Sequence, residues 1–316
     1  MKKFLCIILV FLNITLLFCG CNYKKEDLSA DIKIVTTTFS SYDWTKNVLG
    51  DMLSQADLIL VSDNGVDMHS YQPTADDIIN VKTADLVIYT GSESDKWLDD
   101  VLSDNKNIMS INMMELLKDK LLYTNEDSHQ HDGHSHNKQS ADEHIWLSLR
   151  NAVCVSKDIY EKLSQLDPQN SKKYFDNFKS FSDRLIKLDE NYSKKFNSVT
   201  EKVLVFADRF PFRYTVADYS LQYKALFEGC SSESDTTVGA VLELSKTVER
   251  LSLRYIFIID KQSEKTAKSV IDNSNTRHTE ILQLNSMQLV NSKDLKEQSY
   301  INVMENNLSL IYKALR

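Results

Sequence analysis

Histidines are the side chains of this sequence best suited to chemistry, because a neutral imidazole is a common ligand for zinc and copper. The chain has seven histidines, and four of them lie within eight residues, in the tract DSHQHDGHSHNKQSADEH: His129, His131, His134 and His136. The tract is polar, lacks apolar periodicity and contains Gly133, which predicts a surface loop over residues 127–140. A dense His/Asp tract recruits metal ions. The alternative is a solvated loop with incidental histidines.

Two further histidines each precede a predicted helix. His69 follows an apolar run that ends near Val61, and Thr74 after it is suited to cap a helix, with Asp77 three residues on. His144 lies in DEHIWLSLRNA, immediately before another helical pattern. Open α/β sheets place ligands on loops at the carboxyl ends of strands. Both histidines are therefore candidate metal ligands, and the alternative for each is a structural histidine.

The elements that must position these residues follow from an alternation of apolar β-type runs and helical patterns, which indicates parallel sheets covered by helices. The sequence predicts an α/β fold of two lobes, 32–164 and 199–316, each with a roughly four-stranded parallel sheet flanked by helices. The predicted strands are Ile32–Thr38, Leu58–Val61, Leu86–Tyr89, Ile108–Ile111, Val203–Ala207, Tyr223–Phe227, Tyr255–Asp260 and Ile281–Leu284.

One long backbone helix, predicted over 165–198, joins the two lobes. No Gly or Pro occurs between Ser171 and Val203, and apolar residues recur at spacings of three or four, which keeps them on one helix face. We expect this helix to limit opening of the lobes. The apolar stripe consists of Phe175, Phe178, Phe181, Leu185, Leu188, Tyr192 and Phe196.

The N-terminus predicts where the chain is located. Lys2 and Lys3 precede an apolar run, Phe4–Phe18, which is typical of a secretory signal peptide over 1–20 and too short to span a bilayer comfortably. Gly20 before Cys21 resembles a bacterial lipobox, so we expect Cys21 to be lipidated and followed by a lipid-anchored spacer, 21–31. An uncleaved membrane anchor is the alternative. Either one places the chain outside the bacterial cell, on its membrane.

Charge and cysteine content narrow the classes of partner. With 37 Lys and Arg against 45 Asp and Glu, the net charge is -8, which argues against a nucleic-acid partner because phosphates demand a basic surface. Cys154 and Cys230 are the cysteines that remain after the predicted signal peptide and Cys21. They either form a disulfide or are two buried thiols.

The two histidine motifs resemble those of the metal-binding solute-binding lipoproteins of zinc and manganese ABC importers. GVDMHSYQPTADD is similar to the family's Gly-x-Asp-x-His-x-Tyr-x-Pro-Thr pattern, and DEHIWLSLRNA to its second-ligand motif. GSESDKWLDD resembles the family's segment after the third strand. The resemblance implies metal ligands at His69 and His144 and a metal-recruiting role for the histidine-rich loop.

The remaining ligands implied by the resemblance come from the second lobe. VLVFADRFPFRYTVADYSL corresponds to the family's third-ligand segment and offers Asp208, since the alternative Arg209 is a permanent cation. The fourth position falls on Asn285 in LQLNSMQLV, a neutral amide, and Asp260 is the preferred fourth ligand, with Asn285 or water as substitutes.

The resemblance implies a monomeric binding protein, not an enzyme, that captures Zn²⁺ and passes it to the permease and ATPase of an ABC importer. Mn²⁺ is the alternative cargo, because an Asp in place of a third histidine favours an oxygen-preferring ion, whereas the histidine-rich loop favours zinc. A surface zinc hydrolase is a contrasting hypothesis. It lacks support from any His-Glu-x-x-His, Gly-x-Ser-x-Gly or P-loop motif in the sequence. An adhesin role stays open.

Overall fold

The computed structural model describes residues 32–61, 65–125, 139–227, 237–259, 261–276 and 278–316. The described chain contains two parallel sheets of four strands each and a two-stranded antiparallel ribbon. Every predicted strand is confirmed to within two residues at each end, because the apolar runs that predicted the strands are also the buried ones. The strands are β1 (Ile32–Thr36), β2 (Ala56–Leu60), β3 (Leu86–Tyr89), β4 (Met109–Asn112), β5 (Tyr123–Asn125), β6 (Gln139–Ala141), β7 (Val203–Arg209), β8 (Gln222–Phe227), β9 (Tyr255–Ile258) and β10 (Glu280–Gln283).

The two large sheets share one topology. The first has the order β2-β1-β3-β4 and the second, read from its other edge, has the order β8-β7-β9-β10, with every neighbouring pair parallel. We call the part built on β1–β4 the first lobe and the part built on β7–β10 the second lobe. The carboxyl ends of all four parallel strands lie at the same end of each sheet. Ligands bind at this end in such sheets, and the loops after β2 and β7 lie there.

Helices connect the strands and flank the sheets, as predicted for an α/β fold. Within the described residues, none of these helices is both long and apolar enough to cross a membrane. They are α1 (Phe39–Leu49), α2 (Ala75–Lys82), α3 (Trp97–Ser103), α4 (Met113–Leu116), α5 (Leu149–Leu166), α6 (Ser171–Asn197), α7 (Arg213–Asp218), α8 (Val238–Arg250), α9 (Glu264–Asp272), α10 (Asp294–Glu297) and α11 (Tyr300–Ala314).

The long backbone helix is α6, with 27 residues. It begins at Ser171 rather than 165, because α5 ends at Leu166 and a short 3₁₀ turn with Pro168 as its first residue intervenes. Most of the predicted apolar stripe is buried, but the assignment of Phe175 is wrong: its side chain is 44% exposed, and Tyr174 takes the buried position. The ring of Phe175 lies against Tyr160 of α5 instead.

One continuous hydrophobic core runs through both lobes. It extends from Ile34 in the first sheet through α6 to Phe206 and Phe257 in the second sheet, and smaller clusters cover the other face of each sheet. Because α6 contributes Phe181, Leu185 and other buried side chains to this shared core, the predicted limits 32–164, 165–198 and 199–316 stay predictions as domain boundaries.

The ribbon β5–β6 is a feature that the sequence analysis missed. Its three residue pairs run from Tyr123↔Ala141 to Asn125↔Gln139, so the ribbon brackets residues 126–138. Residues 126–138 lie outside the described residues, and they include His129, His131, His134 and His136. The predicted signal peptide and Cys21 also lie outside the described residues. Cys154 is a free thiol whose Sγ accepts from Lys120 Nζ at 2.9 Å, and Cys230 is also outside the described residues.

Candidate metal centre

His69 lies in a short 3₁₀ turn, Met68–Ser70, on the loop between β2 and α2. The side chain of Asp67 begins this turn, and its Oδ1 accepts from the backbone N of His69 at 3.0 Å. The next helix is fixed by the predicted cap: Thr74 Oγ1 accepts from Asp77 N at 3.2 Å, and Asp77 Oδ2 accepts from Thr74 N at 2.7 Å. These reciprocal bonds satisfy amide groups at the helix start and thereby fix the end of the His69 loop.

His144 follows β6 and precedes the 3₁₀ turn Ile145–Leu147 that leads into α5. Its side chain is fully buried. Asp142 Oδ1 accepts from the His144 backbone N at 2.9 Å and also lies 2.9 Å from the ring Nδ1. A carboxylate on Nδ1 fixes the orientation of an imidazole and leaves Nε2 as the nitrogen available to a metal.

The structure brings the two histidines together. Their ring centroids are 5.6 Å apart, and His69 Nδ1 lies 3.0 Å from Glu143 Oε1. Both rings therefore have a carboxylate on Nδ1, and the two carboxylates come from adjacent residues, Glu143 for His69 and Asp142 for His144. Burial acts to raise the pKa of Glu143, but the hydrogen bond with the His69 ring, together with smaller effects that oppose burial, lowers the pKa from its usual value. Glu143 consequently stays a carboxylate that accepts from the His69 ring.

Gln288, which the sequence analysis missed, lies where the two imidazoles meet. Its Nε2 is 2.5 Å from His69 Nε2 and 3.0 Å from His144 Nε2. An amide nitrogen carries two N–H donors, so one NH₂ group serves both ring nitrogens. The Oε1 of the same amide is buried without a hydrogen-bond partner. The two Nε2 atoms thus face one point. The Gln288 side chain at that point also carries an oxygen, Oε1, that could bind a metal ion.

A constrained turn presents Gln288. Met287 has a φ of 61°, a left-handed conformation that costs a non-glycine residue of order 1–3 kcal/mol and is kept only where its surroundings enforce it. Asn285 Oδ1 accepts from Met287 N at 2.8 Å, and Trp146 Nε1 donates to the Ser286 carbonyl at 2.9 Å. Asn285 therefore shapes the turn, and the amide that faces the histidines belongs to Gln288. The sequence did point to this segment, because Asn285, considered as a ligand, lies three residues before Gln288. Gln288 itself was not considered, because its side chain is neutral.

Of the two predicted carboxylate ligands, Asp208 is the one that the structure describes. Asp208 Oδ1 accepts from Arg209 N at 2.7 Å and its Oδ2 accepts from Ile259 N at 2.8 Å, so both oxygens serve backbone amides at the end of the sheet. Across the described ranges, no three His, Cys, Asp or Glu side chains form a group that could hold one ion. Asp260 lies outside the described residues. The ligand roles of Asp208 and Asp260 stay predictions.

Comparisons with known proteins identify the family of this chain. A family model described as "ZnuA: Zinc-uptake complex component A periplasmic" matches residues 34–314. The zinc-binding lipoprotein AdcA of Streptococcus pneumoniae is 26% identical over 317 residues, which cover 98% of this chain and 60% of AdcA. The manganese ABC transporter substrate-binding lipoprotein PsaA of Streptococcus mitis is 26% identical over 321 residues, which cover 100% of this chain and 99% of PsaA. The chain thus spans about 60% of the length of its AdcA relatives.

Solved structures share the fold. The Zn(II)-bound ZnuA-like domain of Streptococcus pneumoniae AdcA superposes with a TM-score of 0.72 at 23% identity, covering 90% of this chain and 99% of that domain. The periplasmic zinc-binding protein TroA of Treponema pallidum gives a TM-score of 0.73 at 24% identity, with 90% and 99% coverage. These likenesses establish that the two-lobed architecture is that of known metal-binding proteins.

Proposed function

The chain belongs to the zinc-uptake complex component A family, and from that premise we propose that it captures Zn²⁺ outside the cell and delivers it to an ABC importer. The observation that carries the proposal is the convergence of His69 Nε2 and His144 Nε2 on one point, with both Nδ1 atoms held by carboxylates. Paired imidazoles oriented from behind in this way are a zinc-binding arrangement.

The geometry requires only small movements to accommodate the ion. Zn–N bonds are about 2.0–2.1 Å long, and the amide nitrogen now at the focal point lies 2.5 and 3.0 Å from the two ring nitrogens. A zinc ion placed there would displace the NH₂ group of Gln288. Rotation of the amide by about half a turn then directs its buried Oε1 at the ion. Gln288 is thus a third ligand, supplied by the second lobe.

Carboxylates complete the proposed coordination. Asp208 lies at the carboxyl end of β7 and Asp260 two residues beyond the end of β9, and these two strands are neighbours in the second sheet. Zinc takes four ligands in most protein sites. We infer that one of these carboxylates fills the fourth position, and Asp208 would do so by giving up a backbone amide.

Manganese is the second candidate cargo. The relatives at 26% identity include proteins named for each metal. Oxygen donors from Gln288 and a carboxylate favour Mn²⁺, whereas the two imidazoles and the four-histidine loop favour Zn²⁺. We rank zinc first, because the nitrogen donors are the part of the site that is already oriented.

The cellular setting is proposed from the sequence and from the relatives, which are named as lipoproteins. Residues 1–20 are the signal peptide, Cys21 carries the lipid, and the monomer is anchored to the outer face of the cell membrane, where it meets the permease of the importer. We infer a binding role rather than catalysis. A hydrolase screen on the zinc-loaded protein that detected turnover would contradict this inference.

The test is metal analysis of protein purified without added metal, followed by calorimetric competition between Zn²⁺ and Mn²⁺. We expect one tightly bound zinc per molecule and loss of that site in His69→Ala and in His144→Ala. His278→Ala is the matched control, since it removes an exposed imidazole from the second lobe. Tight zinc binding that persists in both single variants would reject the site.

A further inference from the structure

Two arginines of the second lobe reach the first lobe beside the metal centre. Arg209 Nη2 lies 2.8 Å from Asp67 Oδ2, and Arg213 Nε lies 3.3 Å from Asp142 Oδ2. Each aspartate stands two residues before one of the histidines, and each uses its other oxygen, Oδ1, to accept from the backbone N of that histidine. In both cases an arginine of the second lobe pairs with an aspartate that holds the backbone of a histidine. Asp142 also holds the His144 ring, whereas Glu143 holds the His69 ring.

We propose that Arg209 and Arg213 are positioning residues for His69 and His144, acting through Asp67 and Asp142. This inference rests on the proposed function, because it concerns how the same two imidazoles are held. Asp142 holds the backbone and the ring of His144, and Asp67 holds the backbone of His69. The arginines orient these two aspartates. The second lobe thereby controls the geometry of ligands that the first lobe supplies.

The segment that carries the arginines is held firmly. It reads RFPFR, and Phe210 and Phe212 within it are fully buried. The Phe210 ring stacks on Tyr223 with 3.7 Å between centroids, and Arg213 Nη1 donates to the Tyr223 hydroxyl at 2.8 Å. With Pro211 fixing φ between the two buried rings, the arginine side chains start from a rigid backbone.

Burial makes each ion pair consequential. The Asp142 side chain is 2% exposed and that of Arg213 is 16% exposed. The Asp67 and Arg209 side chains are 19% and 11% exposed. A buried carboxylate that loses its cationic partner is left with an uncompensated charge. Without its arginine, each aspartate would turn toward other donors or toward the metal itself. The backbone of the histidine that it holds would then lose its support.

Both arrangements cross from one lobe to the other. Asp67 and Asp142 belong to the first lobe, whereas both arginines lie at the end of β7 and the start of α7 in the second. Contact between the lobes therefore fixes the two aspartates that hold the histidine backbones. Separation of the lobes would release both aspartates together, and the backbone supports of both ligands would loosen in a single movement.

Single substitutions test the proposal on the full-length protein purified as for wild type. Arg209→Gln and Arg213→Gln should each weaken zinc binding by about 10–100-fold, the usual effect of removing a group that orients a metal ligand. Arg209→Lys and Arg213→Lys, which keep the charge but not the planar fork, should recover part of that loss. Arg250→Gln is the matched control, because it removes the same charge from an exposed position on α8. Zinc affinity is measured by competition with a chromophoric chelator.

A double-mutant cycle separates positioning from a general loss of structure. If Arg213 acts through Asp142, the variant Asp142→Asn/Arg213→Gln should bind zinc about as weakly as Asp142→Asn alone. Multiplication of the two single losses would overturn the proposal. The absorption spectrum of bound Co²⁺ gives a second readout, since altered ligand orientation changes it even at full occupancy. The same cycle on Asp67 and Arg209 keeps the test available should an Arg213 variant fail to fold.

The outcomes distinguish this inference from the proposed function. Tight zinc binding by the wild-type protein, with unchanged affinity and Co²⁺ spectrum in both Gln variants, overturns only the positioning role. Failure of the wild-type protein to bind zinc or manganese tightly overturns the proposed function itself, and the positioning role with it.

Discussion

Gln288 gives the centre a neutral donor at the point where the His69 and His144 rings meet. Its NH₂ group satisfies both ring nitrogens, and a metal ion bound at the proposed site would compete with those hydrogen bonds. A carboxylate at this position would accept nothing from the unprotonated ring nitrogens, yet it would attract a divalent cation strongly. The identity of this one residue therefore sets a balance between stability without metal and affinity for metal.

Gln288→Glu should tighten zinc binding by at least about tenfold, because a charged oxygen ligand replaces a neutral one. The same variant should lower the free energy of unfolding of the metal-free protein by about 1–3 kcal/mol, since two hydrogen bonds to buried groups are lost. Chelator competition measures the first effect and denaturant unfolding the second. Gln165→Glu, an exposed substitution on α5, is the control. Weaker zinc binding in Gln288→Glu would contradict a ligand role for residue 288.

Asp95 is a second buried residue with a testable consequence. Its Oδ2 accepts from Thr90 N at 2.6 Å and Gly91 N at 3.1 Å, and burial raises its pKa to about 6 against a usual 3.8. The folded chain therefore keeps this proton in a pH range where the unfolded chain has lost it. Stability from this group falls as pH rises from about 4 toward 6.

In Asp95→Asn, this dependence should disappear. The free energy of unfolding of the wild type relative to the variant should fall by about 2–3 kcal/mol between pH 4 and pH 7, an upper range from the size of the shift. Denaturant unfolding of metal-free protein at several pH values measures it. Asp99→Asn, an exposed substitution on α3, controls for the loss of a charge. A constant difference between wild type and Asp95→Asn across this range would show that folding does not raise the pKa of Asp95.

The sequence analysis succeeded at the residue scale where a residue type carries its own chemistry. The predicted ligands His69 and His144 lie side by side in the structure, and imidazoles before helices at strand ends are recognisable in isolation. Their ligand roles stay predictions. Gln288 was missed since an amide has no distinctive spacing and its role depends on the left-handed turn at Met287. Whether Asp208 faces the metal depends on backbone amides at the end of β9, which a linear sequence does not reveal.

At the scale of elements, the loop that carries His69 depends on the helix after it. Thr74 and Thr237 each cap a helix through Oγ1, the first on α2 beside the metal centre and the second on α8. Thr74→Ala and Thr237→Ala should each lower stability by about 1 kcal/mol. Only Thr74→Ala should also weaken zinc binding, since its cap fixes the end of the His69 loop. Thermal unfolding and chelator competition check this pair, and equal zinc affinity in the two variants would disconnect the cap from the site.

The ribbon β5–β6 offers a clean way to remove the histidine-rich tract. Asn125 and Gln139 are opposite each other in the antiparallel register, so a two-residue Asn-Gly turn can replace residues 126–138. We expect the shortened chain to keep its one tight zinc site and to lose weaker additional binding. Calorimetry over a wide range of zinc concentrations resolves the two classes of site. Loss of the tight site would assign the tract to the primary coordination of the metal.

Elements were predicted well where apolar periodicity is strong. The eight strands of the two large sheets and the long helix follow from buried runs in the sequence. The ribbon was missed because its strands have three polar or mixed residues each, too few to show alternation. The exposure of Phe175 could not be foreseen either, since at the start of α6 a rotation of one residue decides whether Tyr174 or Phe175 faces the core.

At the scale of the whole molecule, the two lobes repeat one strand order but share one core. A ligand held between them should therefore stabilise the described body as one unit. We expect a single thermal transition whose midpoint temperature rises with zinc concentration. At a zinc concentration one hundred times the dissociation constant, the free energy of unfolding should be about 2.7 kcal/mol higher than without zinc. Differential scanning calorimetry measures it. Two transitions, with only one of them shifted by zinc, would show that the lobes unfold separately.

Under the proposed function, the length and burial of α6 also bear on how an importer would recognise the zinc-loaded protein. A helix of 27 residues is about 40 Å long, and it is packed along its length into the core that both sheets share. A helix packed in this way leaves little room for a large closing motion of the two lobes when metal binds. The permease would then recognise the loaded protein by the positions and the charge of a few loops around the metal centre. Zinc would alter that local signature while the outline of the molecule, as seen by small-angle scattering, stays the same.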